Sequence, residues 1–127
     1  MKMSLHAKPL VKRNRQSIFI HTSDSFREVQ AREVFLLPAP FRFFVHRALG
    51  KAGWRVTEYY SGRSINGTAP TMYTAIAKAK EKLEETKDQL ADNILRRIEE
   101  SGRQANGEPF VKTGEEVAVV VHRRNRL

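Results

Sequence analysis

The clearest pattern in the chain is a set of apolar residues that recurs with helical spacing through residues 71–101. Successive members lie three, four or seven positions apart, which places them on one face of a helix. They are Met72, Ile76, Ala79, Leu83, Leu90, Ile94 and Ile98. We expect Thr68 or Thr71 to cap the N-terminus and Gly102 to end the helix. At 1.5 Å per residue the helix would be roughly 45 Å long, longer than a small sheet, so its C-terminal half is expected to overhang, bend or contact a partner.

Elsewhere, short runs of β-branched and aromatic residues predict strands. The predicted strands cover residues 17–21, about 29–37, the two arms of a hairpin over 41–60, a short return at 63–65 and a last strand at 117–122. Pro38 and Pro40 interrupt the sheet, because proline cannot donate a ladder hydrogen bond. The hairpin is the best of these predictions, since apolar and polar residues alternate on both sides of a turn that contains Gly50 and Gly53.

Strands followed by one long helix predict an α+β fold. We expect an antiparallel sheet of four to six strands with one long amphipathic helix packed on one face. The length of 127 residues is typical of one domain. We assign residues 1–16 to a flexible basic arm, residues 17–122 to the domain and residues 123–127 to a basic tail.

The two faces of the hairpin differ in composition. The face expected against the helix carries Phe41, Phe43, Val45, Trp54 and Val56, and Trp54 is therefore expected in the core. The opposite face carries Arg42, Phe44, His46, Arg55, Thr57 and Tyr59. Cations mixed with aromatic rings are typical of surfaces that neutralise phosphates and stack bases. Two other interpretations stay open: an ordinary solvated face, or a second core layer with Phe44 and Tyr59 covered by the N-terminal strands.

The charge balance adds to this picture. The chain has 23 Lys and Arg against 14 Asp and Glu, a net charge of +9, which favours polyanions as partners. Solubility is the alternative reason for such an excess. The chain contains no cysteine, which excludes disulfides and thiolate sites. It has no apolar run long enough for a membrane span and no secretory pattern, so we expect no membrane association and a cytoplasmic location.

Two similar basic runs flank the outermost predicted strands. Lys12, Arg13 and Arg15 precede the first strand, and Arg123, Arg124 and Arg126 follow the last. If these strands pair antiparallel, the six cations converge on one sheet edge and suit phosphates, whose oxygens match arginine forks. Parallel pairing would separate them. The alternative is two solubilising tails.

Catalytic chemistry has little support in the sequence. The four histidines are scattered and lack the spacing of a helical metal site. Glu58, an acid on an apolar strand face, is expected to pair with Arg47 across the hairpin. Phosphate-binding glycine loops and nucleophile elbows are absent from the sequence. We therefore predict a protein that is not an enzyme, with no metal and no cofactor.

A resemblance extends over roughly residues 41–90. It rests on Gly53-Trp54-Arg55-Val56-Thr57-Glu58, on Ser61-Gly62, on the preceding Phe44-Val45-His46-Arg47, and on a helix that opens at Thr71 with Ala75 and Ala79. This pattern resembles small uncharacterised phage and prophage accessory proteins. The resemblance implies no activity, but it adds host-directed inhibitors, such as anti-CRISPR and other anti-defence proteins, to the possible functions.

Two functions follow from these observations. The first is a small basic accessory protein that binds nucleic acid, and the alternative is a phage-type inhibitor or adaptor that binds a host protein or ribonucleoprotein complex. The candidate contact residues are Lys12, Arg13, Arg15, Arg42, Arg55, Tyr59, Arg123, Arg124 and Arg126. The oligomeric state stays open, with a dimer through the long helix as one possibility.

Overall fold

The computed structural model describes residues 9–23 and 25–108. Within them the chain forms strands β1 (Leu10–Val11), β2 (Gln16–His21), β3 (Phe26–Phe35), β4 (Phe43–Arg47) and β5 (Trp54–Glu58), followed by helix α1 (Met72–Ser101). The five strands make a curled antiparallel sheet, and α1 packs on it. The predicted α+β class, with four to six strands and one long helix, is confirmed.

Strand β3 organises the sheet, whose main order is β1-β3-β4-β5. Its first half pairs with β2, from Phe26 opposite His21 to Ala31 opposite Gln16. Its second half pairs with β4, from Arg32 opposite Val45 to Val34 opposite Phe43. The β2–β3 hairpin therefore extends beyond the strands of the main sheet. This extension allows it to fold across the sheet face that α1 leaves uncovered.

Helix α1 has the predicted boundaries and caps. The Thr71 hydroxyl accepts a hydrogen bond from the Thr74 backbone N–H at 3.0 Å. Gly102 adopts a left-handed φ of 78°, and its N–H donates to the carbonyl of Ile98. Such a left-handed residue is a common helix terminator, and glycine adopts it without a steric penalty.

The expectation that the second half of α1 overhangs the core is wrong. Leu90, Ile94 and Ile98 are all buried within the chain. The loops beside the sheet extend the core past the strands, and their partly buried side chains include Leu36, Leu37, Tyr60 and Ile65. The apolar stripe is consequently not free to form a dimer interface.

The sheet has a core on both faces. Phe43, Val45 and Val56 pack against α1, as the alternation predicted. On the other face Phe44 joins Ile18, Ile20 and Ala31 of the β2–β3 hairpin in a smaller cluster. The prediction that this second face is an exposed binding surface is wrong for three of its members, since Phe44, His46 and Thr57 are 0%, 2% and 1% exposed. The alternative of a second core layer is what the structure shows.

Several smaller expectations also change. Leu10 and Val11, assigned to a flexible arm, pair with Phe35 and Val34 of β3. The return strand at residues 63–65 is reduced to a single bridge between Thr57 and Ser64. Trp54 is half-buried at the border of the main core rather than enclosed by it. The predicted strand at residues 117–122 and the tail at 123–127 lie outside the described residues.

Candidate anion-binding site

A pocket of about 310 Å³ lies where β2, β5, the turn after β5 and the last turns of α1 meet. Its lining residues are Ile20, His21, His46, Arg55, Thr57, Gly62, Arg63, Ser64 and Arg97. Three of these carry a guanidinium group and two carry an imidazole. Among the residues that the structure describes, no Asp or Glu lines this pocket. The pocket is therefore a concentration of hydrogen-bond donors and positive charge.

Strand geometry places the first part of this lining. Arg55 lies directly opposite His46 in the β4–β5 ladder, and Thr57 follows two positions later on the same face. The Arg55 Nε donates a hydrogen bond to the Thr68 hydroxyl at 2.9 Å, which holds the base of the guanidinium group. Arg55 lies on the strand face that the alternation predicted, but its neighbours His46 and Thr57 on that face are buried, in line with the second core layer that was one of the open interpretations.

Gly62 brings the second part of the lining into place. The His21 N–H donates to the Gly62 carbonyl at 2.7 Å, which joins the end of β2 to the turn after β5. Gly62 has a φ of 73°, and an added Cβ would lie 3.0 Å from the His21 nitrogen and 3.1 Å from the Phe19 carbonyl oxygen. Only glycine fits this close approach comfortably. The neighbouring Arg63 then donates to the His21 Nε2 at 3.4 Å.

Glu58 fixes the shape of the same turn. Its carboxylate accepts hydrogen bonds from the backbone N–H groups of Tyr60 and Ser61, each at 2.8 Å, and from the Ser61 hydroxyl at 2.6 Å. The predicted pair between Glu58 and Arg47 is wrong, because Arg47 stacks over the Trp54 ring with its guanidinium carbon 4.7 Å from the ring centre. Glu58 is thus a structural acceptor that holds residues 60 and 61 next to Arg63.

Burial raises the pKa of Glu58 above its ordinary value of 4.5, although the hydrogen bonds from Ser61 and Tyr60 act in the opposite direction. The folded protein therefore holds this proton to a higher pH than the unfolded chain does. The stability that this group contributes is complete below pH 4.5 and is lost as the pH rises through the folded pKa.

The pH dependence of stability tests this raised pKa. We expect the unfolding free energy of the native chain to fall relative to that of Glu58→Gln as the pH rises over that interval. The measurement is urea unfolding of both proteins across a pH series. A difference independent of pH would contradict the raised pKa.

Arg63 is the least compensated cation of the pocket. Its Nε is buried and has no hydrogen-bond partner among the described atoms. Burial lowers the pKa of Arg63, and the charge of Arg97 lowers it further, while the charge of Glu100 opposes both. A buried donor without a partner costs about 1–3 kcal/mol. An anion bound in the pocket would relieve the repulsion between the two arginines.

The two histidines are neutral hydrogen-bonding groups. His46 Nδ1 lies 2.8 Å from the Arg47 carbonyl, which can only accept, so this nitrogen carries the proton. His46 Nε2 then accepts from the Thr57 hydroxyl at 2.7 Å. Burial lowers the pKa of both histidines; the nearby charges of Arg63 and Arg97 lower that of His21 further, and the charge of Arg55 does so for His46. The positive charge of the pocket therefore resides on the arginines.

Most of the predicted contact residues lie elsewhere. Arg42 makes a two-pronged interaction with Glu33, at 3.0 Å and 3.2 Å, and Lys12 lies 3.5 Å from the same carboxylate. Burial acts to raise the pKa of Glu33, but the hydrogen bond and charge of Arg42, with help from Lys12, give a net lowering. Tyr59 is half-buried, and the guanidinium carbon of Arg42 lies 4.5 Å from the centre of the Tyr59 ring. These residues form a structural cluster in which Glu33 already occupies the Arg42 guanidinium group.

Two members of the predicted basic patch lie away from the pocket. Arg13 and Arg15 are exposed between β1 and β2, whereas His21 ends β2 beside the pocket. The six residues of β2 separate them by roughly 19–20 Å at 3.2–3.4 Å per residue. Arg123, Arg124 and Arg126 lie outside the described residues. Of the predicted contact residues that the structure describes, Arg55 lines the pocket.

Four charged or polar members of the site were not identified from the sequence: His21, Arg63, Ser64 and Arg97. The Ser61-Gly62 turn was a usable signal for Arg63, since a residue after a tight glycine turn is held in a defined direction. Arg97 has no local signal, because exposed arginines are common on the polar face of a helix. His21 ends β2, as the predicted strand over residues 17–21 implied.

Within the described part of the chain, no group of three His, Cys, Asp or Glu side chains is placed to hold a metal ion. The helix of that part is also not long and apolar enough to cross a membrane. Comparison of the chain with protein-family models, curated proteins and solved structures found no match.

Proposed function

We propose that this protein binds nucleic acid and that the arginine pocket is its phosphate-binding site. The observation that supports the proposal is the convergence of Arg55, Arg63 and Arg97 on one cavity whose described lining holds no carboxylate. Arg42 differs from these three arginines, because its guanidinium group already donates hydrogen bonds to the Glu33 carboxylate. Cations left unpaired by the fold are available to an external anion.

The chemistry of the pocket suits a phosphate better than a carboxylate ligand. Guanidinium groups from three different elements approach from different directions, as the three-dimensional array of phosphate oxygens requires. The hydroxyl group of Ser64, which is exposed, adds a further donor. The net charge of +9 steers a polyanion toward the protein and favours a phosphate that belongs to a nucleic acid chain.

The experiment is fluorescence anisotropy with a labelled oligonucleotide over a series of salt concentrations. Each single-strand phosphate contact contributes about 0.7 to the slope of log affinity against log salt, and each duplex contact about 0.9. We expect Arg63→Ala and Arg97→Ala each to weaken binding and to flatten that slope by about one contact. The melting temperature of Arg97→Ala should stay close to that of the native protein, because Arg97 is exposed and forms no ion pair in the described structure. Arg63→Ala also loses the hydrogen bond to His21, so its binding is measured at a temperature where it remains folded.

Lys87→Ala is the matched control. Lys87 is exposed on the same helix as Arg97, but it lies outside the arginine pocket. Its removal lowers the net charge by the same amount. An equal loss of affinity in Lys87→Ala and Arg97→Ala would show that charge alone drives binding, and an absence of binding at low salt would overturn the proposal.

The alternative, an inhibitor or adaptor that binds a host protein or ribonucleoprotein complex, has one specific observation in its favour. Leu10 and Phe35 lie opposite each other in the ladder at the β1 edge of the sheet and are 70% and 45% exposed. Apolar side chains exposed together are typical of a protein-contact surface. Binding through them would respond weakly to salt, which separates this function from phosphate binding.

A further inference from the structure

A second hollow, of about 680 Å³, lies beside the arginine pocket. Its lining residues are Phe19, His21, Ser23, Ser25, Phe26, Ser101 and Arg103. His21 lines both cavities, so the two are separated by one side chain. We call this second cavity the aromatic groove.

The geometry of the β2–β3 hairpin explains the composition of the groove. Phe19 and His21 are two residues apart on β2, and Phe26 lies directly opposite His21. The period of two places all three on one face, while Ile18 and Ile20 of the other face fill the second core. Phe19 and Phe26 consequently remain partly exposed, although they belong to a well-packed hairpin.

The groove offers flat surfaces of the kind on which bases stack. The Phe26 ring contacts the His21 ring edge to face, with 5.0 Å between the centres. The Arg103 guanidinium carbon lies 4.2 Å from the Phe26 ring centre, and its nitrogens donate to the carbonyls of Gln104 and Ala105. These interactions hold the ring and the guanidinium plane in fixed orientations. Single-stranded nucleic acids are recognised by stacking of splayed bases on such rings and planes.

We propose that the two cavities form one nucleotide site for single-stranded nucleic acid, with a phosphate in the arginine pocket and an adjacent base in the aromatic groove. This inference rests on the proposed function and narrows its substrate class. The base must leave its stack to reach the groove, and in a duplex that step breaks pairing and stacking. The protein therefore selects single strands over duplexes of the same length.

The test compares labelled single-stranded and duplex oligonucleotides of equal length with Phe26→Ala. Loss of a base-stacking ring weakens single-strand binding by about 5- to 150-fold. The slope of log affinity against log salt should stay unchanged, because a phenyl ring contacts no phosphate. Phe26→Trp should retain most of the affinity, since it preserves a flat ring. If Phe26→Ala unfolds at too low a temperature for the assay, Phe26→Leu is used instead, because leucine removes the ring and keeps an apolar side chain of similar size.

Phe35→Ala is the control, because Phe35 ends the same strand as an exposed ring and lies outside both cavities. Equal affinity for single strand and duplex, or equal losses in Phe26→Ala and Phe35→Ala, would overturn the nucleotide site. The arginine variants report separately on the proposed function. If they still weaken binding in that case, phosphate recognition stands and base recognition falls; if no oligonucleotide binds, both are wrong.

Discussion

Replacement of Phe44 by alanine is expected to lower the free energy of unfolding by about 3–5 kcal/mol. Phe44 is fully buried, and its ring packs with Ile18, Ile20 and Ala31 in the second core. That core is small, so the remaining side chains cannot collapse easily into the space left behind. The measurement is urea or thermal unfolding followed by circular dichroism.

Phe35→Ala is again the matched control, since it deletes the same atoms from a ring that is 45% exposed. Its effect should be well below that of Phe44→Ala, because little apolar surface returns to water. Similar effects of the two substitutions would contradict a buried second face and would restore Phe44 to the open surface that the alternation pattern suggested.

The second large effect is expected for Glu58→Ala. This change leaves the Tyr60 and Ser61 N–H groups and the Ser61 hydroxyl without their acceptor. Each buried donor that loses its partner costs about 1–3 kcal/mol, and the relief of carboxylate burial offsets part of the sum. We expect a net loss of about 3 kcal/mol in unfolding free energy.

The same variant should weaken phosphate binding, because the turn that Glu58 fixes is followed at once by Gly62 and Arg63. Binding is measured at a temperature where the variant remains folded. Glu28→Ala provides the control, because it removes the same carboxyl side chain from an exposed position on β3. A Glu58→Ala protein with native stability would show that the turn keeps its conformation without the carboxylate.

The helix and the hairpin could be predicted because their signals are local. The apolar spacing of Ile76, Ala79 and Leu83 requires only a helical backbone, and the caps at Thr71 and Gly102 act within one turn. The alternation from Phe43 to Val45 likewise identified the face that packs against the helix. Each of these depends on neighbours within about four residues, so tertiary structure had little opportunity to override it.

The candidate site could be predicted only in part. Arg55 was recognised because it alternates with apolar residues in a strand. Arg42 occupies an equivalent alternating position, but the structure places it on Glu33 of β3, and no rule of local spacing distinguishes the two arginines. Which cation is left unpaired depends on which carboxylate the neighbouring strand presents.

The sequence by itself determined the class of fold and which residues of α1 and of the β4–β5 hairpin face the main core. It also determined a positive charge that favours polyanions. Tertiary structure decided where that charge is available. The β2–β3 hairpin folds across the second sheet face, buries Phe44 and His46, and brings His21 to Arg63 and Arg97. The physical reason is that the elements involved are separated along the chain. The pocket forms where the curled strands, the Gly62 turn and the last turns of α1 meet, and each of these elements is specified by its own segment of the sequence.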